Sequence, residues 1–381
     1  MIKVMTIVGT RPEIIRLSEI IKKLDIYTKH ILVHTGQNYD YELNEIFFHD
    51  LNIRTPDVFL NAADTTPLAT IANILREIDK ILEIHKPDSI LILGDTNSSL
   101  CAIAAKRRKI PIFHYEAGNR CYDYRVPEEI NRKIVDHISD INLTYSQIAK
   151  MNLIREGIDP QYAICIGSPM KEVINVHLEK VNRSKILENM NLVERQYLLV
   201  SVHREENVDD PKKLNVLLEL LDQLSEINKQ PIVVSTHPRT KKRIQSSGRK
   251  NHELITFSKP FSFTDYLRLQ IGSRCVLSDS GTITEESSIL NFPAINLREE
   301  QERHEGFEVG AVMFTGFDKD LITDALSLLD QQGVGSERSL KIVSDYIDEN
   351  ISEKIIRIIL SYTSFINRRI WKKDNASCEL E

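Results

Sequence analysis

The sequence predicts an α/β protein made of two Rossmann-like domains with a ligand cleft between them. Short apolar runs alternate with longer segments of helical periodicity along nearly the whole chain, a pattern typical of βαβ units with parallel strands. The candidate strands fall into two groups of six. With 381 residues, of which 41% are hydrophobic, the chain is long enough to form two such cores.

In the first half, most candidate strands are followed by a segment with the period of a helix. Strands are expected at 4–8, 31–34, 90–93, 112–114, 141–144 and 164–166. Helices are expected at 12–24, 68–84, 98–108 and 128–139. Gly167-Ser-Pro169 follows the last strand as a break signal, so the first domain is predicted to span residues 1–168.

The second half repeats this organisation. Strands are expected at 197–202, 232–235, 254–257, 275–277, 294–296 and 312–314. The second domain is predicted to span residues 169–350. Helical periodicity continues from Ile342 to about Lys372, and the segment 351–381 is predicted to be a helix that crosses back to the first domain, followed by a tail.

Composition and missing motifs exclude several classes of function. The net charge of −6 gives no basic footprint for nucleic acid. No apolar run approaches the ~18 residues of a membrane span. Five scattered cysteines favour a reducing cytosol over a disulfide framework or a zinc site. The chain has no dinucleotide fingerprint, Walker A motif or nucleophile elbow, so no cofactor is expected.

A tight turn and a helix start follow one buried strand of the second half, in Ser278–Glu286. Gly281 would let the backbone approach a ligand closely, with the hydroxyls of Ser280 and Thr282 beside it. The N–H groups and dipole of a helix start suit a diphosphate, and Glu286 is expected to meet a sugar or ribose hydroxyl. A strand–turn–helix junction is also a common structural element, so the neighbouring motifs decide the interpretation.

Arg11 and Arg16 are candidate anion contacts in the first domain. Arg11 lies in Gly9-Thr-Arg-Pro-Glu13, which ends the first predicted strand, and Arg16 comes about one turn later. Pro12 is ordinary at a first helical position. A helix start accounts for Pro12, but it does not require a cation at the edge of the predicted cleft. Arg11 is therefore predicted to contact an anion.

Four carboxylates are candidates for acid/base chemistry. Asp95 and Glu116 follow predicted strands, whereas Glu128 and Glu129 follow Pro127 at a helix start, where one of them could serve only to complement the dipole. Carboxylates crowded into one cleft raise each other's pKa, which prepares one as an acid and another as a base. The same cluster could instead hold Mg²⁺, although no Asp-x-Asp pattern accompanies it.

Further cations follow strands of the second half. His203-Arg204 comes after the first of these strands and suits a diphosphate. A lone histidine is more often structural, and His237 before Pro238 is open to either interpretation. Arg303 adds another cation near the proposed nucleotide.

Together these motifs resemble the non-hydrolysing UDP-N-acetylglucosamine 2-epimerases over essentially the whole chain. The matching motifs are Gly9–Glu13, Gly94–Thr96, His114–Gly118, Pro127–Arg132, His203-Arg204 and Ser278–Glu286. The resemblance implies a fold like that of GT-B glycosyltransferases and inversion of C2 in a UDP-bound amino sugar. In that reaction C2 is deprotonated as UDP leaves C1, and UDP re-adds to the glycal while C2 is reprotonated from the other face.

Carried over motif by motif, the resemblance makes Asp95, Glu116 and Glu128 the acid/base carboxylates, with His203 assisting at the diphosphate. The residues predicted to bind UDP are Arg11, Arg16, Arg204, His237, Ser280, Gly281, Thr282, Glu286 and Arg303. No metal is expected. The predicted protein is a cytoplasmic homodimer whose ligand is a UDP-linked amino sugar, without a nucleic-acid or membrane partner.

Three departures from the usual family pattern point to a narrower branch. Arg16 replaces a lysine, Asn119–Val126 is shorter than its counterpart, and Gln37–Tyr41 replaces a motif that helps to form an activating second UDP-GlcNAc site. Thr35–Asn44 and Glu116–Cys121 resemble the epimerases that make UDP-N-acetyl-L-fucosamine from UDP-2-acetamido-2,6-dideoxy-L-talose for capsule and O-antigen. The aromatic residues of the shortened segment are expected to border the sugar.

Other functions share some of these features. A GT-B glycosyltransferase would have the same fold and UDP site, but it would not need carboxylates from three strand or helix starts. A catalytically silent nucleotide-sugar sensor would need no acid/base set. Within the family, an ordinary UDP-GlcNAc 2-epimerase is the alternative.

Overall fold

The computed structural model describes residues 1–37, 47–202, 210–236, 243–244, 252–298 and 300–373. The chain forms two compact units, the first comprising Met1–Asn175 with Asp348–Glu381 and the second Val176–Ile347. The division lies within the helix Met170–Asn182, later than the predicted break after residue 168. Gly167-Ser-Pro169 introduces this helix, because the Pro169 carbonyl accepts from Val173 N.

The first unit contains a seven-stranded sheet in the order β3-β2-β1-β4-β5-β6-β7. The strands are β1 Lys3–Val8, β2 Lys29–His34, β3 Val58–Phe59, β4 Ser89–Leu93, β5 Ile112–Tyr115, β6 Ile141–Thr144 and β7 Ala163–Cys165. Neighbouring strands pair in parallel. The sequence did not predict β3, because two residues leave no apolar run.

Helices of the first unit cover the connections between these strands. They are α1 Arg11–Tyr27, α2 Pro67–His85, α3 Ala102–Arg107, α4 Pro127–Ile138, α5 Gln147–Arg155 and α6 Met170–Asn182. Thr66 and Ser146 cap α2 and α5 by accepting from the third backbone N–H of each helix. The predicted helix at 98–108 begins as a 3₁₀ turn, Asn97–Cys101, because Ser99 Oγ bonds the Leu93 carbonyl instead of the helix.

The second unit contains a six-stranded parallel sheet in the order β10-β9-β8-β11-β12-β13. Its strands are β8 Leu198–Ser201, β9 Ile232–Ser235, β10 Ile255–Ser258, β11 Cys275–Ser278, β12 Ala294–Asn296 and β13 Met313–Phe314. Its helices are α7 Ile186–Asn189, α8 Pro211–Asn228, α9 Phe263–Gly272, α10 Thr282–Leu290, α11 His304–Glu308 and α12 Lys319–Leu329. All six predicted strands of this half are present, β9 and β12 with the predicted bounds and the other four with shifts of one residue at one or both ends.

The end of the chain differs from the continuous helix predicted beyond Ile342. A 3₁₀ turn at Ser344–Tyr346 comes first, and the helix α13 begins only at Ile351 and runs to Arg369. Its apolar residues at helical spacing, such as Ile355 and Ile359, are buried, and the helix packs against α1. Helix α13 therefore belongs to the core of the first unit.

Both sheets have the strand order of doubly wound α/β proteins, so the predicted α/β class with two Rossmann-like units is confirmed. In the first sheet the order reverses between β1 and β4, and in the second between β8 and β11. Ligands of such sheets bind at the carboxyl ends of these central strands. Among the described residues, no helix combines the length and apolar character needed to cross a membrane.

Candidate active site

The residues predicted in the first unit lie where the central strands end. Arg11 begins α1 directly after β1, and Asp95 and Glu116 follow β4 and β5, which pair in register up to Leu93 and Tyr115. Since these strands are parallel neighbours, their carboxyl ends share one edge of the sheet. The structure thus places Arg11, Asp95 and Glu116 at the same edge.

Glu116 adopts a backbone conformation that non-glycine residues rarely have. Its φ is +66°, a left-handed value that costs roughly 1–3 kcal/mol and clusters at functional sites. A Cβ added to Gly94 would lie 3.4 Å from Glu116 Oε2, so the carboxylate lies over the turn that precedes Asp95. Glu116 therefore lies close to the backbone of Gly94, the residue before Asp95.

Arg16, predicted to bind UDP, forms an ion pair with Glu116 in the structure. It is almost completely buried, and its guanidinium carbon lies 5.6 Å from the centre of the Tyr145 ring. The Tyr145 hydroxyl lies 3.5 Å from Glu116 Oε2, the oxygen that pairs with Arg16. Arg16 therefore orients a predicted acid/base residue, and its contact with the diphosphate stays a prediction.

Asp95 is held by Arg132, a residue that sequence reasoning placed only within a motif. Arg132 Nε and Nη2 donate to Asp95 Oδ2 at 2.9 and 2.5 Å, and Arg132 Nη1 donates to Glu129 Oε2 at 3.0 Å. The carboxylates were expected to crowd against one another. Instead, Arg132 lies between Asp95 and Glu129, and Arg16 lies against Glu116.

Glu128 and Glu129 are adjacent in sequence but differ in burial. Glu129 has no exposed surface, and its Oε2 also accepts from Cys121 N at 3.1 Å. Burial raises the pKa of the Cys121 thiol, 3.4 Å from the same oxygen, to about 11. Glu128 is half-buried at the first turn of α4. Glu129 is thus buried in structural contacts, whereas Glu128 keeps part of its surface exposed, as a reacting group needs.

Glu13 is a buried carboxylate that binds the turn after β1. Its Oε2 accepts from Gly9 N at 2.8 Å and Thr10 N at 2.6 Å, forming a capping box. Its Oε1 accepts from the Thr96 hydroxyl, one residue after Asp95, at 2.9 Å. Burial outweighs these bonds and raises the Glu13 pKa to about 7.

This raised pKa predicts a pH-dependent stability. Because the folded state holds the proton more tightly than the unfolded chain, the stabilisation is complete below pH 4.5 and is lost as pH rises through about 7. At ~1.4 kcal/mol per pKa unit, the total is roughly 3 kcal/mol. Glu13→Gln keeps an oxygen for the backbone donors but cannot ionise. We therefore expect its free energy of unfolding to rise relative to that of the wild type as pH increases from about 5 to about 8.

Urea unfolding across this pH range measures the difference. The exposed Glu83 provides the control, because Glu83→Gln should follow the wild-type pH profile. Parallel profiles for Glu13→Gln and wild type would show that Glu13 does not take up a proton on folding.

In the second unit, the turn between β11 and α10 has the predicted hydroxyls and glycine. Ser280 Oγ lies 3.0 Å from Thr282 Oγ1, and Ser280 N donates to Ser278 Oγ at 3.0 Å. Gly281 is the N-cap of α10, and the nearest atoms to an added Cβ are 3.6 Å or more away. The helix start thus presents an open backbone with flanking hydroxyls, as an anion site requires.

Two buried arginines flank this turn. Arg303 Nη2 lies 3.2 Å from Glu285 on α10. Arg298, which was not among the predicted site residues, donates from Nε to the Asp279 carbonyl at 2.6 Å and pairs with Glu302 at 3.2 Å. Its position directly after β12 was the available signal. Both cations therefore lie close to the predicted diphosphate site.

Glu286 is more enclosed than expected for a residue that meets a ribose hydroxyl. It is 6% exposed, and its Oε2 accepts from Gln270 Nε2 at 2.6 Å. Gln270, on α9, therefore orients Glu286, and ribose binding by Glu286 stays a prediction.

Three predicted residues, His203, Arg204 and His237, lie outside the described residues, as does most of Gln37–Tyr41. Among the residues that the structure does describe, no three His, Cys, Asp or Glu side chains are grouped so as to hold a metal ion.

Sequence comparisons place the chain among sugar-nucleotide epimerases. A family model described as UDP-N-acetylglucosamine 2-epimerase matches residues 22–360. The chain is 33% identical to the UDP-2,3-diacetamido-2,3-dideoxy-D-glucuronate 2-epimerase of Pseudomonas aeruginosa, over 85% of this chain and 91% of that protein.

Solved structures give the same result. A UDP-N-acetylglucosamine 2-epimerase from Rickettsia bellii is similar with a TM-score of 0.91 and 48% identity, covering 98% of this chain and all of that one. The Methanocaldococcus jannaschii UDP-GlcNAc 2-epimerase in complex with UDP-GlcNAc and UDP is similar with a TM-score of 0.87 and 34% identity, covering 94% and 99%. MurG from Acinetobacter baumannii, at 11% identity and a TM-score of 0.57, shares the fold alone.

Proposed function

The chain belongs to the UDP-N-acetylglucosamine 2-epimerase family, and we propose that it converts UDP-2-acetamido-2,6-dideoxy-L-talose to UDP-N-acetyl-L-fucosamine. Membership makes it an isomerase that acts on UDP sugars. The proposal adds the identity of the sugar and a role in capsule or O-antigen synthesis.

The proposed reaction inverts C2 without net oxidation. One carboxylate removes the C2 proton while the C1–O bond breaks and its electron pair leaves with UDP, forming the C1=C2 bond of a glycal. UDP then re-forms its bond to C1 as a second carboxylate delivers a proton to the opposite face of C2. Asp95, Glu116 and Glu128 are the proposed carboxylates, and His203 assists at the diphosphate.

The observation that carries the choice of sugar is the way Glu116–Cys121 contacts the carboxylates. This segment contains the sequence that resembles the fucosamine branch. Asn119 Nδ2 lies 3.5 Å from Glu116 Oε1, and Cys121 N donates to Glu129. The segment that departs from the usual family pattern therefore touches Glu116, a proposed acid/base residue, and the structural Glu129, at a place where a different sugar ring would require a different wall.

The ordinary exchange of UDP-GlcNAc and UDP-N-acetylmannosamine is the second candidate. Structures similar to this chain are named UDP-GlcNAc 2-epimerases, one of them at 48% identity. The Pseudomonas aeruginosa relative, however, is named for a different sugar at an identity close to that of the Methanocaldococcus jannaschii structure. Identity of about a third therefore does not determine the sugar.

Product NMR in deuterated buffer tests the proposal. We expect the purified protein to epimerise UDP-2-acetamido-2,6-dideoxy-L-talose with deuterium entering at C2, and to turn over UDP-GlcNAc poorly and without needing it as an activator. Asp95→Asn is the matched control, since it should slow deuterium incorporation by about 10²–10⁴-fold while its stability changes little. EDTA is present and NAD is absent, because the reaction needs neither a metal nor a redox cofactor.

Efficient turnover of UDP-GlcNAc with a sigmoidal dependence on its concentration would contradict the choice of sugar and favour the second candidate. Activity that disappears in EDTA and returns with Mg²⁺ would show that the carboxylates hold a metal. Failure to detect the glycal, combined with transfer of the sugar to an acceptor, would indicate a glycosyltransferase.

A further inference from the structure

A buried ionic network lies behind the turns that carry Asp95 and Glu116. At its centre is Asp136 on α4, which has no exposed surface. Its carboxylate lies 2.9 Å from His114 Nδ1 and accepts from Arg120 Nη1 at 2.7 Å. None of the three side chains was predicted to take part in the reaction.

The network reaches both turns. His114 Nε2 lies 2.9 Å from the carbonyl oxygen of Gly94, and Gly118 N donates to Asp136 at 3.3 Å. Gly94 and Gly118 have φ of +68° and +82°, which glycine adopts most readily. A Cβ on Gly118 would lie 2.3 Å from the Ala149 carbonyl oxygen. Asp136 thus holds the turn after Glu116 directly and the turn before Asp95 through one histidine.

We propose that Asp136 is a positioning residue, which acts through His114 and Gly118 to hold Asp95 and Glu116 in the geometry that proton transfer at C2 requires. This inference rests on the proposed roles of those two carboxylates. A shift of about 1 Å in a group that positions the reaction can cost ~10²-fold in rate. Asp136 itself touches no part of the substrate in this scheme.

His114 connects the two turns. Its ring nitrogens face Asp136 on one side and the Gly94 carbonyl on the other. Arg120 binds the same Asp136 carboxylate and also pairs with Glu156. A change at Asp136 would therefore reach Gly94 through a single side chain.

Asp136→Asn tests the positioning role, because it keeps the size of the side chain and removes its charge. We expect kcat to fall about 10–100-fold, with KM and UDP affinity within about threefold of wild type. A general loss of folding would instead weaken UDP binding as well. The assay uses whichever UDP sugar the wild-type enzyme turns over, so an error in the proposed sugar does not affect this test.

Asp140 provides a matched control. It is also buried and also binds β5, but at the start of the strand, where Ile112 N donates to it at 2.9 Å. We expect Asp140→Asn to lower the free energy of unfolding and to leave kcat near the wild-type value. Equal kcat values for the two aspartate variants would overturn the positioning role of Asp136.

Two variants of His114 keep the proposal testable if Asp136→Asn does not fold. Since a glutamine amide can still donate towards Gly94, His114→Gln should retain more activity than His114→Leu. Equal losses in the two variants would overturn the proposed link between Asp136 and Gly94.

Discussion

Replacing Asp95, Glu116 or Glu128 by the corresponding amide is expected to lower kcat by about 10²–10⁴-fold, because each removes a group that donates or accepts a proton at C2. UDP should still bind, since most residues predicted to hold it lie in the second unit. Steady-state kinetics with the UDP sugar and calorimetric titration with UDP measure the two effects separately.

Asp95 and Glu116 each pair with an arginine, and we expect the two amide variants to differ in stability. In Asp95→Asn, Arg132 keeps its contact with Glu129 at 3.0 Å, so stability should change little. In Glu116→Gln, the buried Arg16 loses the charge that it pairs with, and removing one partner of a buried pair can cost about 3–5 kcal/mol. We therefore expect a clear fall in Tm for Glu116→Gln and a small one for Asp95→Asn.

Glu129→Gln is the comparison for Glu128→Gln, because the two residues are adjacent on α4 and differ in burial. The Glu129 variant should lose stability, since Glu129 binds Cys121 and Arg132. The Glu128 variant should lose turnover. Near-normal rates for all three acid/base variants would mean that other groups move the C2 proton.

The strand ends were the predictable part of the site. Buried parallel strands are short apolar runs, and the polar residues that follow them must gather at one edge of the sheet. The positions of Asp95 and Glu116 after β4 and β5 were predicted in this way, as was the turn at Ser280–Thr282, and their roles stay predictions. Periodicity gave most element bounds within a few residues, because the apolar residues of α1 and β4 face a continuous core.

The partners of these residues could not be predicted, because they depend on pairs far apart in sequence. Arg16 and Glu116 are separated by 100 positions, and Arg132 and Asp95 by 37. No local pattern indicates such a pair. The left-handed conformation of Glu116 could not be predicted either, because glutamate rarely adopts it.

The aromatic residues of the segment after Glu116 show another limit. Tyr122 and Tyr124 were expected to border the sugar, but they are 61% and 67% exposed. The Tyr122 hydroxyl donates to Asn152, and the Tyr124 ring lies 4.5 Å from Lys133 Nζ. Asn119 and Cys121 of the same segment make the contacts with the carboxylates. The contact of the tyrosines with the sugar stays a prediction.

Gly281→Ala is expected to weaken UDP binding while the protein keeps its stability. Gly281 has φ −67° and ψ −23°, which any residue adopts, and its added Cβ would meet only ordinary contacts, the nearest being Glu302 Oε2 at 3.6 Å. The protein therefore accepts the methyl group, and a Gly→Ala change at such a position can stabilise by about 0.4–1 kcal/mol. A diphosphate bound against the backbone of this helix start would meet the methyl group directly.

Calorimetric titration with UDP should show an affinity at least about tenfold lower, equivalent to ~1.4 kcal/mol. Ser280→Ala is the matched comparison: it removes a hydroxyl beside the same turn but adds no atom in front of the backbone, so its loss of affinity should be smaller. Thermal unfolding of both variants shows that the fold is intact. An unchanged affinity in Gly281→Ala, at wild-type stability, would mean that the diphosphate binds away from α10, and the neighbouring Arg298 and Arg303 would then hold their carboxylate partners for structural reasons alone.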